Sequence, residues 1–524
     1  MSGVARPPDR RQVPWPLVAI LALAALVRLA AIFAAPSFHW ADENFQFFEQ
    51  GHRLAFGYGI KPWEFEEGIR SYAVPYALAG LFRVSEPMFG GPQGYIAVSR
   101  IVIAALSLAP VAAVYAMGRR TSQTHAILAG LVAATWFEIV YFSFRPLGEA
   151  LAGDFVMVAL ALASVPWETL SRRRLAAIGV CLAVAVMLRV QLAPGVLFVA
   201  VWLCRLDVRT RWSALTLGAA PALAVFGVID WLTWGAPFIS YFRVVWLLLG
   251  ANMRAVSFGG DVSSRPGLDP FYFYLAWMIV YWAAALPVLI FLVARRLRPS
   301  AIWIGFATLE IVVHSLIPHK EYRYIFPAVA SLVITAAMAS ADLVVLARTR
   351  TTPARGRLLL TAIAGGWVAT SAALAASPFF TPNWTRDRTV IAASYWLSGR
   401  TDLCGVAFSG TPWVHMGGYA FLHRDVPMYF LPRRTALADA SVQAFNYLFL
   451  RRSDLGRFRP DFTPVWCETD ETGVGRCLAR RSGGCAAQAG LTPILQMKDL
   501  GDGRVNRRDD SLPPQPADRT PAPQ

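Results

Sequence analysis

Charged side chains are scarce in this sequence. Only 16% of the 524 residues are Asp, Glu, Lys or Arg, whereas 56% are hydrophobic and 13% are aromatic. Soluble proteins carry about 25% charged residues, so the composition excludes an ordinary soluble chain. The 39 glycines and 35 prolines follow no period, which together with the aromatic content excludes collagen-like and disordered chains. The composition is that of an integral membrane protein.

Lysine and nucleotide-binding motifs are also rare. Lysine occurs only as Lys61, Lys320 and Lys498, so arginine supplies most of the net charge of +16. A basic balance can indicate a nucleic-acid-binding protein, but these arginines form short clusters between long apolar runs and are topology signals. The sequence has neither a Gly-rich loop ending in Lys-Ser/Thr nor a G-x-G-x-x-G pattern after a strand. We therefore expect no nucleic-acid partner and no bound nucleotide.

Long apolar runs suggest many membrane spans, because a helix needs roughly 20 residues to cross hydrocarbon. The clearest runs lie near residues 15–35, 96–118, 124–143, 148–166, 212–234, 272–294, 301–317, 323–346 and 357–377. Residues 175–205 are interrupted by Arg189, Gln191 and Pro194, and could form one long helix or two short ones.

The distribution of arginine favours two helices there. With two, the strong basic clusters fall on one side of the membrane, whereas one helix would scatter them. The clusters are Arg6, Arg10 and Arg11; Arg119 and Arg120; Arg172 to Arg174; Arg205, Arg209 and Arg211; Arg295, Arg296 and Arg298; and Arg348, Arg350, Arg355 and Arg357. We therefore predict about 11 spans, with an uncleaved first helix, a cytoplasmic N-terminus and an extracytoplasmic C-terminal region.

The predicted domain organisation follows from this topology. Residues 1–377 form the membrane domain, with two long outer loops at 36–95 and 235–271, and long loops are usually functional. Short apolar runs and Gly/Pro turns in residues 378–502 indicate a small extracytoplasmic α/β domain. Residues 503–524 lack core-forming side chains and are predicted to be disordered.

Four of the six cysteines lie in the predicted C-terminal domain, at Cys404, Cys467, Cys477 and Cys485. An oxidising compartment would allow them to form disulfides, for which three pairings are possible. Their spacing matches no familiar zinc-ligand pattern, so we predict no metal site.

Acidic side chains cluster in the first predicted outer loop. Asp42 and Glu43 follow the first span directly, either as a functional pair or as caps of an amphipathic stretch on the bilayer surface. Farther along, Glu66, Glu67 and Arg70 alternate with aromatic residues. An interfacial segment would explain the aromatics, but the density of charge suits a polar pocket better.

A second charged segment separates two apolar spans, where His319, Lys320, Glu321 and Arg323 lie within five residues. A charge at the bilayer centre costs about 2.5–3.5 kcal/mol, so these groups need partners or an interfacial position. A plain polar turn is one interpretation. However, cations on the outer side oppose the charge asymmetry found elsewhere, so we expect an anionic partner nearby. Arg145, in another short outer turn, could belong to the same site or snorkel at a helix end.

Carboxylates and cations on one face beside lipid suit a reaction in which a phosphate leaves and a hydroxyl attacks. A carboxylate can accept the hydroxyl proton, and cations can stabilise the charge on the departing phosphate. Glycosyl transfer from a lipid-phosphate sugar needs both the proton acceptor and the cations. Because no nucleotide is present on the outer side of the membrane, the lipid must bring the activated sugar.

The charged segments also resemble motifs of a known family. His319 to Pro327 resembles the HKE-x-RF motif of glycosyltransferase family 22, the dolichol-phosphate-mannose-dependent mannosyltransferases of GPI-anchor and N-glycan assembly. His39 to Glu43 resembles the family's His-Pro-Asp-Glu, and Trp63 to Tyr72 resembles a Trp-Glu-(x)n-Ile-Arg-Ser-Tyr stretch most similar to the GPI mannosyltransferases. The resemblance covers roughly residues 15–380.

The sequence departs from the family pattern in two motifs. Trp40 and Ala41 stand where the family has one Pro, so either Asp42 or Glu43 could occupy the family's acidic position. The turn from Arg145 to Glu149 loosely resembles a family Arg-x-x-Ser-Asn turn without its Ser and Asn.

The resemblance implies an all-α polytopic membrane enzyme of GT-C architecture. It would transfer mannose with inversion from a polyprenyl-phosphate donor to a glycolipid or glycan acceptor, with no metal or other cofactor. Asp42 would be the general base with Glu43 beside it. The donor phosphate would contact Arg70, His319, Lys320 and Arg323, with Glu321, Arg145, Glu66 and Glu67 in support.

The preference for Arg over Lys and the many alanines suggest a bacterial inner-membrane protein whose active site faces the periplasm. In a eukaryote the membrane would be that of the endoplasmic reticulum. Three other functions stay open: transfer of another sugar such as arabinose or glucose, movement of a lipid-linked sugar by a flippase, and an adhesion or assembly module on an inert anchor.

Overall fold

The computed structural model describes residues 14–247, 269–317, 319–411, 415–431, 442–458, 461–486 and 491–496. Three features predicted from the sequence lie outside these residues: the N-terminal arginine cluster, most of the second outer loop and the disordered segment 503–524.

Helices cover every apolar run predicted from the sequence. They are α1 Trp15–Ala34, α2 Glu49–Phe56, α3 Trp63–Glu66, α4 Ala73–Phe89, α5 Gly91–Leu106, α6 Leu108–Arg119, α7 Gln123–Thr135, α8 Phe137–Phe142, α9 Gly148–Ala163, α10 Arg172–Leu188, α11 Ala193–Cys204, α12 Ser213–Trp234, α13 Phe273–Trp282, α14 Ala285–Arg295, α15 Ala301–Leu316, α16 Phe326–Arg348, α17 Pro353–Ala375, α18 Thr381–Thr385, α19 Arg388–Ser398 and α20 Gly418–Leu422.

Several of these helices can cross a membrane. Within the described ranges, five helical segments are long and apolar enough to do so, and α13 with α14 adds a sixth if the bent pair counts as one span. These two helices meet at an angle of 110°, where Ala283 has a φ of 43°. The chain is therefore a multi-pass membrane protein, while the total of about 11 spans stays a prediction.

The interruption predicted in residues 175–205 divides that region into two helices. Helix α10 ends at Leu188, a 3₁₀ turn covers Val190–Leu192, and α11 follows with a proline in its first turn. Arg189 has extended backbone angles at the break, so its side chain can leave the helix surface. It contacts Glu149 of α9, with its Nη2 3.0 Å from Glu149 Oε1.

Helix α16 lies at the centre of the bundle. It is buried along most of its length and packs against α7, α9, α14 and α15. Alanines dominate its buried faces, so neighbouring helices can approach closely. The HKE segment immediately precedes this helix, which ties the position of that segment to the best-packed part of the bundle.

The C-terminal region contains a mixed five-stranded sheet with strand order β2-β1-β3-β5-β4. The strands are β1 Val406–Ser409, β2 Met428–Leu431, β3 Tyr447–Arg451, β4 Thr463–Thr469 and β5 Gly475–Arg480. β1 pairs in parallel with β2 and β3, whereas β5 is antiparallel to β3 and β4. Disulfides join Cys404 to Cys485 and Cys467 to Cys477, which is one of the three possible pairings.

The first outer loop folds against this C-terminal region. The carboxylate of Glu49 in α2 accepts hydrogen bonds from the backbone N–H groups of Ile60, Tyr419 and Ala420 at 2.7, 3.2 and 2.7 Å. The Asn44 amide donates to the Met416 carbonyl at 3.1 Å. The loop that carries Asp42 and the disulfide-bonded region therefore lie on the same end of the helix bundle.

Candidate active site

Arg323 joins the two charged segments that lie far apart in the sequence. Its guanidinium contacts the carboxylate of Asp42, and its Nε lies 2.8 Å from Glu321 Oε2 and 3.7 Å from Glu149 Oε1. The Arg323 side chain is 1% exposed, whereas that of Asp42 is 23% exposed. Of this ion pair, the carboxylate is thus the more exposed member.

A short 3₁₀ turn aims the side chains of the HKE segment in different directions. Tyr322–Ile325 forms this turn, and Pro327 lies in the first turn of α16, where its missing N–H costs nothing. Arg323 binds Asp42, whereas the Tyr322 hydroxyl donates to Glu138 Oε1 at 2.6 Å. Glu138 is buried and also accepts from the indole N–H groups of Trp136 and Trp282, at 2.9 and 3.0 Å.

Two further arginines, the buried Arg189 and the partly buried Arg70, extend the network. Arg189, positioned by the break between α10 and α11, pairs with Glu149 and lies over the Tyr324 ring at 4.8 Å. Burial lowers the pKa of Arg70, and nearby Arg189 adds to this shift. Nε of Arg70, Nε of Arg189 and Oε1 of Gln191 have no hydrogen-bond partner among the described residues, and all three side chains line one cavity. Such groups are suited to binding a polar ligand.

A buried carboxyl group lies beside Asp42. Glu64 of α3 accepts a hydrogen bond from the Gln46 amide at 2.7 Å. Burial raises the pKa of Glu64 to about 7, and the charge of Asp42 contributes to the shift. Glu66 and Glu67, the carboxylates selected from the sequence, are exposed instead. The single turn of α3 turns Glu64 and Phe65 inward, and sequence spacing alone did not reveal this orientation.

Glu43 is enclosed by two arginines. Its carboxylate lies 2.6 Å from Arg145 Nη1 and 3.3 Å from Arg100 Nη2, and it accepts the backbone N–H of His39 at 2.6 Å. Arg145 is held in turn by the Ser37 hydroxyl oxygen at 2.9 Å. These groups are fully or almost fully buried, so Glu43 and Arg145 anchor the loop behind Asp42. Arg100 was not identified from the sequence because it lies within an otherwise apolar run.

The other predicted phosphate ligands in this segment, His319 and Lys320, bind different partners. Lys320 Nζ donates to the carbonyls of Asp269 and Ile317, at 2.8 and 2.6 Å. The His319 side chain is 63% exposed, with its Nε2 3.3 Å from Glu321 Oε1, and this contact raises the pKa of His319. The structure thus brings Asp42, Glu321 and Arg323 into contact, with Arg70 near enough to Asp42 to feel its charge, but places Lys320 against Asp269 at the end of the second outer loop.

His39 lies close to the same network. Its Nδ1 is 2.9 Å from the Tyr141 hydroxyl. Burial, reinforced by Arg323, Arg386 and Arg145, holds the pKa of His39 well below its ordinary value. The imidazole is therefore neutral at physiological pH. Among the described residues, no group of three or more His, Cys, Asp or Glu side chains is arranged to hold a metal ion.

Comparison with known proteins assigns the family. Residues 18–380 match the Alg9-like mannosyltransferase family. GPI mannosyltransferase 3 of Yarrowia lipolytica is 26% identical over 445 residues, which cover 82% of this chain and 79% of that protein. GPI alpha-1,2-mannosyltransferase 3 of Mus musculus is 25% identical over 316 residues, covering 57% of this chain and 55% of that protein.

A solved structure shares the fold. ArnT from Cupriavidus metallidurans, crystallised with undecaprenyl phosphate, superposes with a TM-score of 0.56 at 13% identity, covering 90% of this chain and 99% of that chain. This likeness shows the GT-C fold, and the family match confirms the resemblance to glycosyltransferase family 22. The chain belongs to the Alg9-like mannosyltransferase family and is a membrane mannosyltransferase.

Proposed function

We propose that the chain transfers mannose from a polyprenyl-phosphate donor to a hydroxyl of a glycolipid or glycan acceptor, with inversion at the anomeric carbon. The observation that carries this proposal is the contact between the partly exposed Asp42 and the buried Arg323. It places a candidate base and a candidate phosphate ligand side by side. The names of the similar GPI mannosyltransferases support mannose, and the ligand of the ArnT structure supports a lipid phosphate.

In the structure the Asp42 carboxylate is ion-paired with the Arg323 guanidinium. A donor phosphate that binds Arg323 competes with Asp42 for the guanidinium. Arg70, whose Nε is unpaired among the described residues, supplies a second cation nearby. Donor binding thereby frees the Asp42 carboxylate to contact the acceptor hydroxyl, while Glu321 and Glu149 keep Arg323 in place.

The reaction then proceeds in one displacement. The acceptor oxygen forms a bond to the anomeric carbon as the bond from that carbon to the phosphate oxygen breaks. Asp42 takes the acceptor proton, and the polyprenyl phosphate leaves with its charge facing Arg323 and Arg70. The chain's own residues supply both the proton acceptor and the charge stabilisation.

Two contacts support an extracytoplasmic active site. Disulfides persist in oxidising compartments, and this chain has two in its C-terminal region. That region packs on the loop that carries Asp42, through Glu49 and Asn44. The active site and the disulfides therefore share one side of the membrane, which we propose is the periplasmic or lumenal side.

Asp42→Asn tests the base assignment. General-base catalysis contributes about 10²–10⁴-fold, so we expect kcat to fall by at least about 100-fold while the protein keeps its yield and thermal stability. Glu66→Gln, at an exposed carboxylate of the same loop, is the matched control and should retain activity. Competition among polyprenyl-phosphate mannose, glucose and arabinose identifies the sugar. Normal turnover by Asp42→Asn would contradict the mechanism.

A further inference from the structure

A polar cavity lies at the end of the bundle opposite the Asp42–Arg323 network. Its volume is about 380 Å³, and it lies where α6, α9, α11 and α14 end, beside the start of α15 and the middle of α16. Thr335 of α16 forms part of its wall. By the rise of a helix, Thr335 lies about 18 Å along the bundle from Arg323, so the cavity is separate from the candidate active site.

Three arginines contribute to the lining of the cavity, and none of its lining residues in the described chain is acidic. Its arginines are Arg120, Arg296 and Arg298. Arg120 Nη1 donates to the carbonyls of Ala161 and Ser164, at 3.0 and 3.2 Å, which fixes its guanidinium at the mouth. Arg298 is exposed there. Because Arg296 is ion-paired with Asp342, Arg120 and Arg298 supply the positive charge of this concave surface, which attracts an anion.

Two buried polar atoms of the lining have no partner among the described residues. Arg296 is 7% exposed, and its Nη1 pairs with Asp342 while its Nε makes no hydrogen bond. Thr335 is 1% exposed, and its hydroxyl also makes none. A helical threonine commonly donates to the carbonyl four residues earlier. Because unpaired buried polar groups are costly, both atoms indicate that the cavity receives a hydrogen-bonding ligand.

We propose that this cavity binds the phosphate group of an anionic lipid headgroup. Trp202 forms part of its rim and is 45% exposed, and it belongs to the apolar helix α11, so the rim continues into the lipid-facing surface. Tryptophan is typical of the interface between hydrocarbon and water. The guanidinium groups suit phosphate oxygens, and the acyl chains would lie along α11. The site would occupy the leaflet opposite the proposed active site.

A lipid-binding measurement on the full-length protein in a zwitterionic detergent tests this proposal. Native mass spectrometry with dioleoyl phosphatidylglycerol, and with dioleoyl phosphatidylcholine as the zwitterionic match, measures headgroup selectivity. Arg120→Gln combined with Arg298→Gln removes the two mouth cations. Arg350→Gln removes an exposed arginine on the same end of the bundle that does not line the cavity, and it serves as the matched control.

We expect phosphatidylglycerol to bind at least about tenfold more tightly than phosphatidylcholine. The double variant should bind phosphatidylglycerol about tenfold more weakly than the unchanged protein, whereas Arg350→Gln should lose less than about twofold. Thr335→Val, which removes the hydroxyl with little change in side-chain shape, should weaken the binding of phosphatidylglycerol. Displacement of the lipid by inorganic phosphate at equal concentration would support a phosphate site that is filled from solution. Equal binding of the two lipids, or equal losses in the double variant and the control, would overturn the proposal.

Discussion

The buried carboxylate of Glu138 predicts a measurable energetic coupling to the HKE segment. It accepts hydrogen bonds from Tyr322, Trp136 and Trp282, and Glu138→Gln replaces one acceptor oxygen by an amide that cannot accept. At least one donor then loses its partner. An unsatisfied buried group costs about 1–3 kcal/mol. We therefore expect the free energy of unfolding to fall by about 2 kcal/mol.

Tyr322→Phe removes a single donor from the same cluster. Hydrogen bonds to charged groups contribute about 1.5–3 kcal/mol, whereas interhelical hydrogen bonds in membranes average about 0.6 and reach about 1.7 kcal/mol. Since Glu138 and Tyr322 belong to different helical segments, a double-mutant cycle between Glu138→Gln and Tyr322→Phe should give a coupling of about 1 kcal/mol. Reversible unfolding in mixed micelles measures each of the four proteins.

The kinetics of sugar transfer distinguish a role of Glu138 in positioning Arg323 from a role in packing alone. Because Tyr322 and Arg323 are adjacent in one 3₁₀ turn, loss of the Glu138 contact should move Arg323 and lower kcat for transfer more than it raises KM. Tyr115→Phe, in the core and remote from the turn, is the control and should combine additively with Glu138→Gln. Additivity within about 0.3–0.5 kcal/mol for Glu138 and Tyr322, with unchanged kcat, would refute the idea that Glu138 holds the turn.

Two further predictions concern pH and the disulfides. Burial raises the pKa of Glu64 from an ordinary 4.5 to about 7. Between these pH values the folded state therefore binds more protons than the unfolded state. The free energy of unfolding should then fall by up to about 3 kcal/mol as pH rises from about 4.5 to about 7. Glu64→Gln should remove this pH dependence in thermal unfolding profiles, and an unchanged profile would show that Glu64 is ionised throughout. The Cys404–Cys485 disulfide spans 81 residues and Cys467–Cys477 spans 10. Because a disulfide that closes a longer loop restricts the unfolded chain more, loss of the first should destabilise the C-terminal region by about 4.5 kcal/mol and loss of the second by about 2.7 kcal/mol. Denaturant unfolding of the two paired Cys→Ser variants tests this order, which equal losses would contradict.

The sequence correctly located several features because each has a strong local signal. Arg189 and Pro194 interrupt an apolar run, and the helix breaks there, since proline lacks an N–H and a buried charge needs a partner. The HKE segment contains too many charges for hydrocarbon, and it lies beside the acidic loop. Only the fold selected Glu64 over Glu66, because the inward face of a one-turn helix depends on what packs against it.

Composition and apolar run lengths by themselves established a multi-pass membrane chain, and short motifs were sufficient for its family. These are properties of local sequence, since about 20 apolar residues in a row behave alike in any context. Which side chains meet was decided only by tertiary structure. Asp42 reaches Arg323, Lys320 turns to Asp269, and Glu43 is enclosed by Arg145 and Arg100. The physical reason is that buried ion pairs join residues far apart in the chain, and their partners are chosen by how the helices pack.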